Sequence, residues 1–185
     1  MMKLRTSLLI ALTLTLTACG FHLRGKEGYA LPFQTVYLQS VNKNSALVAD
    51  LKRDLEINGI NIATSADKAP LTLHITAETT DKQILSLSSA GRVLEYKLQY
   101  HVLFRLYDAK QRDWIAPGDI TLRRNYTYDD SQVLAKAKEE TMLYQDMRAD
   151  AVQQIVRRLA YAKEPPPSKD TAQEKTPPAP NGSQP

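Results

Sequence analysis

Leu94-Glu95-Tyr96-Lys97-Leu98-Gln99-Tyr100-His101-Val102-Leu103-Phe104-Arg105-Leu106 is the stretch that decides the fold. Leu94, Tyr96, Leu98, Tyr100, Val102, Phe104 and Leu106 take every second position, and Glu95, Lys97, Gln99, His101 and Arg105 lie between them. A strand turns successive side chains to opposite faces, so this period of two predicts a long strand with one face buried and one polar. Asp108 to Asp113 reads as a turn. A second strand follows, with Ile120, Leu122, Tyr126 and Tyr128 on one face and Thr121, Arg123, Asn125 and Thr127 on the other. Arg124 interrupts its apolar set. These two strands are expected to be antiparallel neighbours.

Working outward, Leu71-Thr72-Leu73-His74-Ile75-Thr76-Ala77 alternates in the same way, while Asp81 to Ser89 is polar and interrupted, ending at Ala90-Gly91. Val36 to Val41 is a further short β-rich run, closed by the turn formers Asn42-Lys43-Asn44-Ser45. Ser45 can cap a helix that runs to about Asn58, with Leu47, Val48, Leu51 and Leu55 as its apolar stripe and Asn58-Gly59 as its stop. Strand, helix and strand make a β-α-β unit with a right-handed crossover. From Ser131 to about Ala160 the period changes to 3.6, with Leu134, Ala137, Thr141, Tyr144, Ala151, Ile155 and Leu159 on one face behind a cap at Asp130 or Ser131. A striped helix and a half-polar sheet bury each other. The expected fold class is α+β: a two-layer sandwich with two helices packed on one face of a four-stranded mixed sheet, in the order β-α-β-β-β-α.

The chain opens with Lys3 and Arg5, then an uncharged run of 13 residues from Thr6 to Ala18, then the chain's single cysteine, Cys19. A basic segment, an apolar segment and small residues before a cleavage point describe an export leader. The run is shorter than the ~20 apolar residues a membrane-crossing helix needs. Leu16-Thr17-Ala18-Cys19 resembles a bacterial lipobox, which implies that residues 1–18 are removed as a lipoprotein signal peptide and that Cys19 becomes an acylated N-terminus. Two or three acyl chains hold a protein on a membrane lastingly, where one does so only reversibly. In enteric-type lipoprotein sorting an aspartate after the cysteine signals inner-membrane retention; by that resemblance Gly20 implies an outer-membrane address.

At the other end, residues 164–185 hold seven of the ten prolines and no aromatic or large aliphatic residue, so they read as a disordered Pro-rich tail. Residues 19–163 remain as a single α+β domain. Losing Lys3 and Arg5 takes the net charge from +4 to +2. A balance this small on an exported chain argues against a nucleic-acid partner. His22, His74 and His101 are scattered without metal-ligand spacing, and no phosphate loop, nucleophile elbow or carboxylate pair is present. Asp129-Asp130 falls at a helix start, where carboxylates favour the dipole. No enzyme, cofactor or metal is expected.

Cys19-Gly20-Phe21-His22-Leu23-Arg24-Gly25 resembles the N-terminal signature of the lipopolysaccharide-assembly lipoprotein family, LptE (also called RlpB). Arg124-Asn125-Tyr126-Thr127-Tyr128-Asp129, then Leu134-Ala135-Lys136 with Glu139 and Glu140, resembles that family's strand-to-helix junction. Leu94-Glu95-Tyr96 fits its strand after the central loop. The likeness spans about residues 19–160. It implies a non-enzymatic outer-membrane lipoprotein, anchored on the periplasmic side, whose body plugs the lumen of the β-barrel LptD and which binds lipopolysaccharide during assembly into the outer leaflet. A generic periplasmic adaptor lipoprotein of a lipid transport complex is the alternative.

Pairing the two long strands puts the loop at 85–92 and the helix start at 131–136 at one end of the sheet. The first strand, parallel to Leu71–Ala77, begins at the other end, where the chain arrives from Cys19. About 14 strand residues at ~3.3 Å each span ~45 Å, comparable to a bilayer with its headgroups. The loop end is therefore expected to point away from the anchor. Lipopolysaccharide carries phosphates and acidic sugars, which call for charge-assisted contacts. The candidate cations are Lys136, Arg92, Lys138 and Arg124. Lys136 matches the lysine of the family motif. The family's loop often carries its basic residue before the glycine, whereas here Ser88-Ser89-Ala90 precede Gly91 and Arg92 follows it. Either the charge has moved across the turn or this loop binds less. For each of the four, a solvated surface cation is the competing reading.

Overall fold

In a computed structural model describing residues 30–166, the chain forms β1 (Thr35–Ser40), α1 (Ala46–Ile57), β2 (Asn61–Ala63), β3 (Leu71–Leu87), β4 (Val93–Asp108), β5 (Asp113–Thr127) and α2 (Val133–Ala160). The leader, Cys19, the Cys19–Gly25 stretch and the tail beyond Pro166 lie outside the described residues. The class is the expected α+β, two helices with a mixed sheet, but the sheet has five strands and not four, in the order β2-β1-β3-β4-β5. The extra strand is β2, whose three residues pair in parallel with β1 from Thr35↔Asn61 to Tyr37↔Ala63. Three residues are too few to display a period, and β2 sits at the sheet edge with Asn61 exposed. The remaining pairings are parallel between β1 and β3 and antiparallel from β3 to β4 and from β4 to β5.

The alternation in β4 marks the helix-facing side. Leu98, Tyr100, Val102, Phe104 and Leu106 are buried, as are Leu71, Leu73 and Ile75 of β3 and Ile120 and Tyr126 of β5. On this side α1 places Leu47, Leu51 and Leu55, and α2 places Met147, Ala151, Val152, Ile155, Val156 and Leu159. Each large side chain so buried contributes roughly 1.5–3 kcal/mol over leaving it in water. Ser45 caps α1 as expected, its Oγ accepting from the Val48 N–H at 3.1 Å. Past the C-cap Asn58, Gly59 takes a φ of +80°, which a side chain would resist. The helices are tied together by Arg148 Nε donating to Asp50 Oδ2 (2.7 Å) and Gln153 Nε2 donating to Asp54 Oδ2 (3.0 Å).

Beyond this base the molecule carries an arm. β1 accompanies β3 only as far as Ser40↔Ile75, yet β3 continues to Leu87 with β4 alone beside it. The polar segment from Asp81 to Leu87 is therefore strand, and the loop expected at 85–92 is confined to 88–92. A register shift between Ile75 and Ala77 moves the helix-side positions from Leu71, Leu73 and Ile75 to Glu78, Thr80, Lys82 and Ile84. The first half of α2 lies along this arm. Here a second expectation changes, because Leu134 is 88% exposed and Ala137 and Thr141 are exposed too. The buried stripe of α2 begins only at Met147. No helix among the described residues is long and apolar enough to cross a membrane.

Candidate functional site

The end of the arm is built by two turns. In the β3–β4 hairpin, Ser88 N–H donates to Arg92 O (2.8 Å), Gly91 N–H to Ser88 O (3.0 Å) and Arg92 N–H to Ser88 Oγ (3.0 Å). Gly91 supplies the φ of +75° that this closure needs. At the end of β5, Tyr128 N–H donates to Leu94 O (2.8 Å), so the chain enters α2 right beside the start of β4. A short 3-10 turn, Asp130–Gln132, is inserted before the helix. Asp129 caps this turn, while α2 itself starts after Gln132 with no side-chain cap, so neither Asp130 nor Ser131 is the cap. Asp129 Oδ1 accepts from Ser131 N–H (2.9 Å) and Ser131 Oγ (2.7 Å), and the Ser131 N–H above all holds its carboxyl below the ordinary range. Hairpin tip and helix start thus share one pole, and β1 begins at the opposite one.

Of the four candidate cations, three are at this pole. Arg92 and Lys138 are exposed and have no carboxylate partner among the described residues. Lys136 differs: its side chain is only 15% exposed, and its Nζ donates to Glu139 Oε2 (2.9 Å) and Thr127 Oγ1 (3.3 Å). An ammonium has three donors. Two orient Lys136, and the third has no partner among the described residues. Arg124 is not at the pole. It pairs across from Leu98, faces the helix side, and its Nη2 donates to Asp150 Oδ2 at 2.6 Å. That bond to the middle of α2 explains why a charge could interrupt the apolar set of β5.

The sequence reading missed a cluster just below the pole. Lys82 Nζ lies 2.5 Å from Glu140 Oε2 and 4.1 Å from the Tyr96 ring centroid, and Tyr126 OH donates to Glu140 Oε2 at 2.7 Å. Tyr96 stacks on Tyr126 and meets Tyr128 edge-on. One turn along, Tyr144 OH donates to Asp81 O (2.9 Å). Partial burial alone would lower the Lys82 ammonium, but the hydrogen bonds to Glu140 and Tyr126 outweigh it and raise its pKa. For Glu140 burial acts upward, and the same bonds outweigh it and lower the value. The Tyr126 hydroxyl is pushed up to about 12 by burial and by Glu140. The family-like motifs contain Tyr96, Tyr126 and Glu140, but Lys82, inside the polar run from Asp81, carries no signal of this role.

The cluster clasps the free half of α2 to the arm. Lys82→Gln should lower stability by about 1 kcal/mol, since both partners retain solvent contact and a cation–ring contact adds only a fraction. It should also speed amide exchange in the first turns of α2. The Glu140 contribution is present above the ordinary carboxylate pKa and lost as pH falls through its lowered value. The Lys82 contribution is present below the ordinary lysine pKa and lost as pH rises through its raised value. The difference between wild type and variant should therefore be flat around neutrality and shrink in strong acid, as urea titrations at several pH values would read.

Elsewhere, His74 stands edge-on to Tyr107 with its pKa lowered by burial and by Arg105, and His101 Nε2 lies 3.7 Å from Asp119 Oδ2. Neither belongs to a group of three or more His, Cys, Asp or Glu able to hold a metal among the described residues.

Comparison with known proteins agrees with this architecture. The family model LptE, described as lipopolysaccharide-assembly, matches residues 33–159. The LPS-assembly lipoprotein LptE of Pectobacterium atrosepticum is 29% identical over 159 residues, covering 83% of this chain and 83% of that protein. The Yersinia pestis protein of the same name is 29% identical over 155 residues, covering 83% and 74%. Among solved structures, the solution structure of lipoprotein B from Nitrosomonas europaea superposes with a TM-score of 0.66 at 39% identity, covering 76% of this chain and 90% of that one. Rare lipoprotein B from Shewanella oneidensis superposes at 0.62 with 26% identity, covering 76% and 99%. With most of its described residues inside the match, the chain belongs to the LptE lipopolysaccharide-assembly family.

Proposed function

We propose that this protein is a non-enzymatic lipoprotein of the outer membrane that plugs and supports the β-barrel LptD and binds lipopolysaccharide on its way to the outer leaflet. Residues 1–18 serve as its leader and Cys19 as its acylated anchor on the periplasmic side. The observation that carries the reading is the polarity of the molecule. Arg92, Lys136 and Lys138 stand at the pole formed by the hairpin and the start of α2, while the chain from the anchor enters the sheet at the other pole. The open face of the sheet, with Thr79, Asp81, Gln99, His101, Thr121 and Arg123, suits the polar interior of a large barrel. Arg124, engaged with Asp150, is left out of the ligand site.

The test is a pull-down of the tagged full-length protein from outer membranes in mild detergent. A large β-barrel protein is expected to co-purify in stoichiometric amount. Recovery of inner-membrane or periplasmic partners and no barrel would instead establish the adaptor reading.

A further inference from the structure

β5 is the last strand of the sheet, and among the described residues no strand pairs with its outer edge. Tyr128 N–H donates to Leu94 O, and from Glu95↔Thr127 back to Phe104↔Gly118 the register with β4 is unbroken. Along an antiparallel pair, residues that bond the neighbour alternate with residues that do not. Stepping back from Tyr128 in twos, Tyr126, Arg124, Leu122, Ile120 and Gly118 bond β4. Asp119, Thr121, Arg123 and Asn125 therefore turn their backbone N–H and C=O groups outward, and all four residues are exposed. One of these groups, the Arg123 carbonyl, accepts from Arg124 Nη1 at 3.1 Å. An open ladder of this kind is a template for a further strand.

The charges along the edge point to its occupant. Asp119 and Arg123 lie two residues to either side of Thr121. If a second copy pairs antiparallel with Thr121 against Thr121, each Asp119 meets an Arg123, twice by symmetry, and each half-buried Leu122 meets an Ile120. Arg123 has no ion pair among the described residues. The helix layer repeats the pattern about the same centre. Asp150, Gln154 and Arg158 stand four residues apart and so form one row of α2. Asp150 accepts from Arg124 at 2.6 Å, and the Arg158 guanidinium lies 3.0 Å from where a Gly118 Cβ would stand. Gln154 is midway along that row, as Thr121 is midway between Gly118 and Arg124. A two-fold axis at Thr121 is thus level with Gln154, and it turns Arg158, which has no carboxylate partner among the described residues, toward Asp150 of the second copy. Two layers that are self-complementary about one axis are what an isologous contact requires.

We propose that free copies of this protein pair through β5, edge to edge and antiparallel, joining two five-stranded sheets into one. The helices of both copies lie on the same face of the joined sheet, and the two arms point in opposite directions. The pairing concerns copies not engaged with another protein and does not depend on the barrel reading.

The experiment uses the full mature protein with its own anchor, in mild detergent, under a mild oxidant. In Thr121→Cys the two thiols of a pair sit on Cα atoms about 5.5 Å apart, within disulfide reach. In Asn125→Cys, equally exposed on the same edge, they sit about 26 Å apart. Thr121→Cys is expected to become a covalent dimer, while Asn125→Cys and wild type, whose one cysteine is Cys19, stay single. Light scattering over a concentration series reads the pairing without a cross-link. Arg123→Asp sets carboxylate against carboxylate and should weaken self-association about tenfold, and Asp119→Arg added to it should restore the pairing. Thr121→Pro removes an outward N–H and no bond to β4, so it should abolish the dimer and leave the circular dichroism of the fold unchanged. Equal linking at positions 121 and 125, or linking at neither, overturns the proposal. So does undiminished pairing in Arg123→Asp, or a charge swap that fails to restore it.

Discussion

Phe104→Ala should remove about 3–5 kcal/mol from the stability of this domain, the range for deleting a buried phenylalanine ring. Phe104 is 1% exposed in the middle of β4, paired across from Ile75 on one side and Gly118 on the other. Gly118 offers no side chain that could swing into the vacancy. From α2, the Arg158 guanidinium lies over the ring, 5.6 Å from its centroid, and 3.0 Å from where a Gly118 Cβ would stand. A charged group cannot fill an apolar hole without losing its water, so the cavity should stay largely open. For a domain holding about 5–15 kcal/mol in all, the loss is a third or more. Urea unfolding should show a lower midpoint at unchanged slope. Leu134→Ala is the matched control: it also removes an apolar side chain from a patterned position, but an 88% exposed one, and should fall within about 0.5 kcal/mol of wild type. A Phe104→Ala cost below about 1 kcal/mol would mean that β4 is not the centre of the core.

The contrast between those two residues also shows why part of this fold was legible and part was not. β4 could be read directly because its helix side is covered from Leu98 to Leu106, so composition and burial share one period. The pole followed from topology alone: two long antiparallel strands joined to a hairpin on one side and a helix on the other leave those junctions together. The arm was opaque for a physical reason. Where a strand lacks a second neighbour on one side and has only half a helix above it, polar residues serve on both faces, and Asp81 to Ser86 carries little apolar periodicity. The register shift after Ile75 then changes the phase. In α2, an apolar Leu134 at helical spacing looks like core to a pattern, although nothing covers it. β2 is three residues long and could not announce itself. Lys136 was visible through its motif, but its setting against Glu139 and Thr127 was not, nor was the Lys82–Glu140 clasp, because both depend on which strand residue a helix turn happens to meet.

The second large effect concerns that lysine. Arg92→Asp combined with Lys136→Asp is expected to weaken lipopolysaccharide binding about 100-fold, taking ~1.5 kcal/mol for each of the two charge-assisted hydrogen bonds removed and about tenfold per 1.4 kcal/mol. The folded state should barely notice. Arg92 is exposed and unpaired, so its replacement breaks nothing inside the protein. Lys136→Asp gives up the pair with Glu139, worth a few tenths of a kcal/mol at a partly solvated site, and places a carboxylate in the opening turns of α2, where the helix dipole favours it. The two terms oppose each other. A thermal midpoint close to wild type beside a collapsed affinity would therefore separate binding from folding. Salt gives an independent check, because wild-type affinity should fall as ionic strength rises while the double variant, with only Lys138 left of the three cations at the pole, should respond less. Of the two single variants, Lys136→Asp should have the greater effect. Glu139 and Thr127 already hold its ammonium in one orientation, so less freedom is lost on meeting a phosphate, whereas Arg92 at the hairpin tip must be ordered by the ligand. Unchanged affinity in the double variant would remove the ligand site from this pole and still leave the barrel plug standing, since that role depends on the shape of the body and not on these two charges.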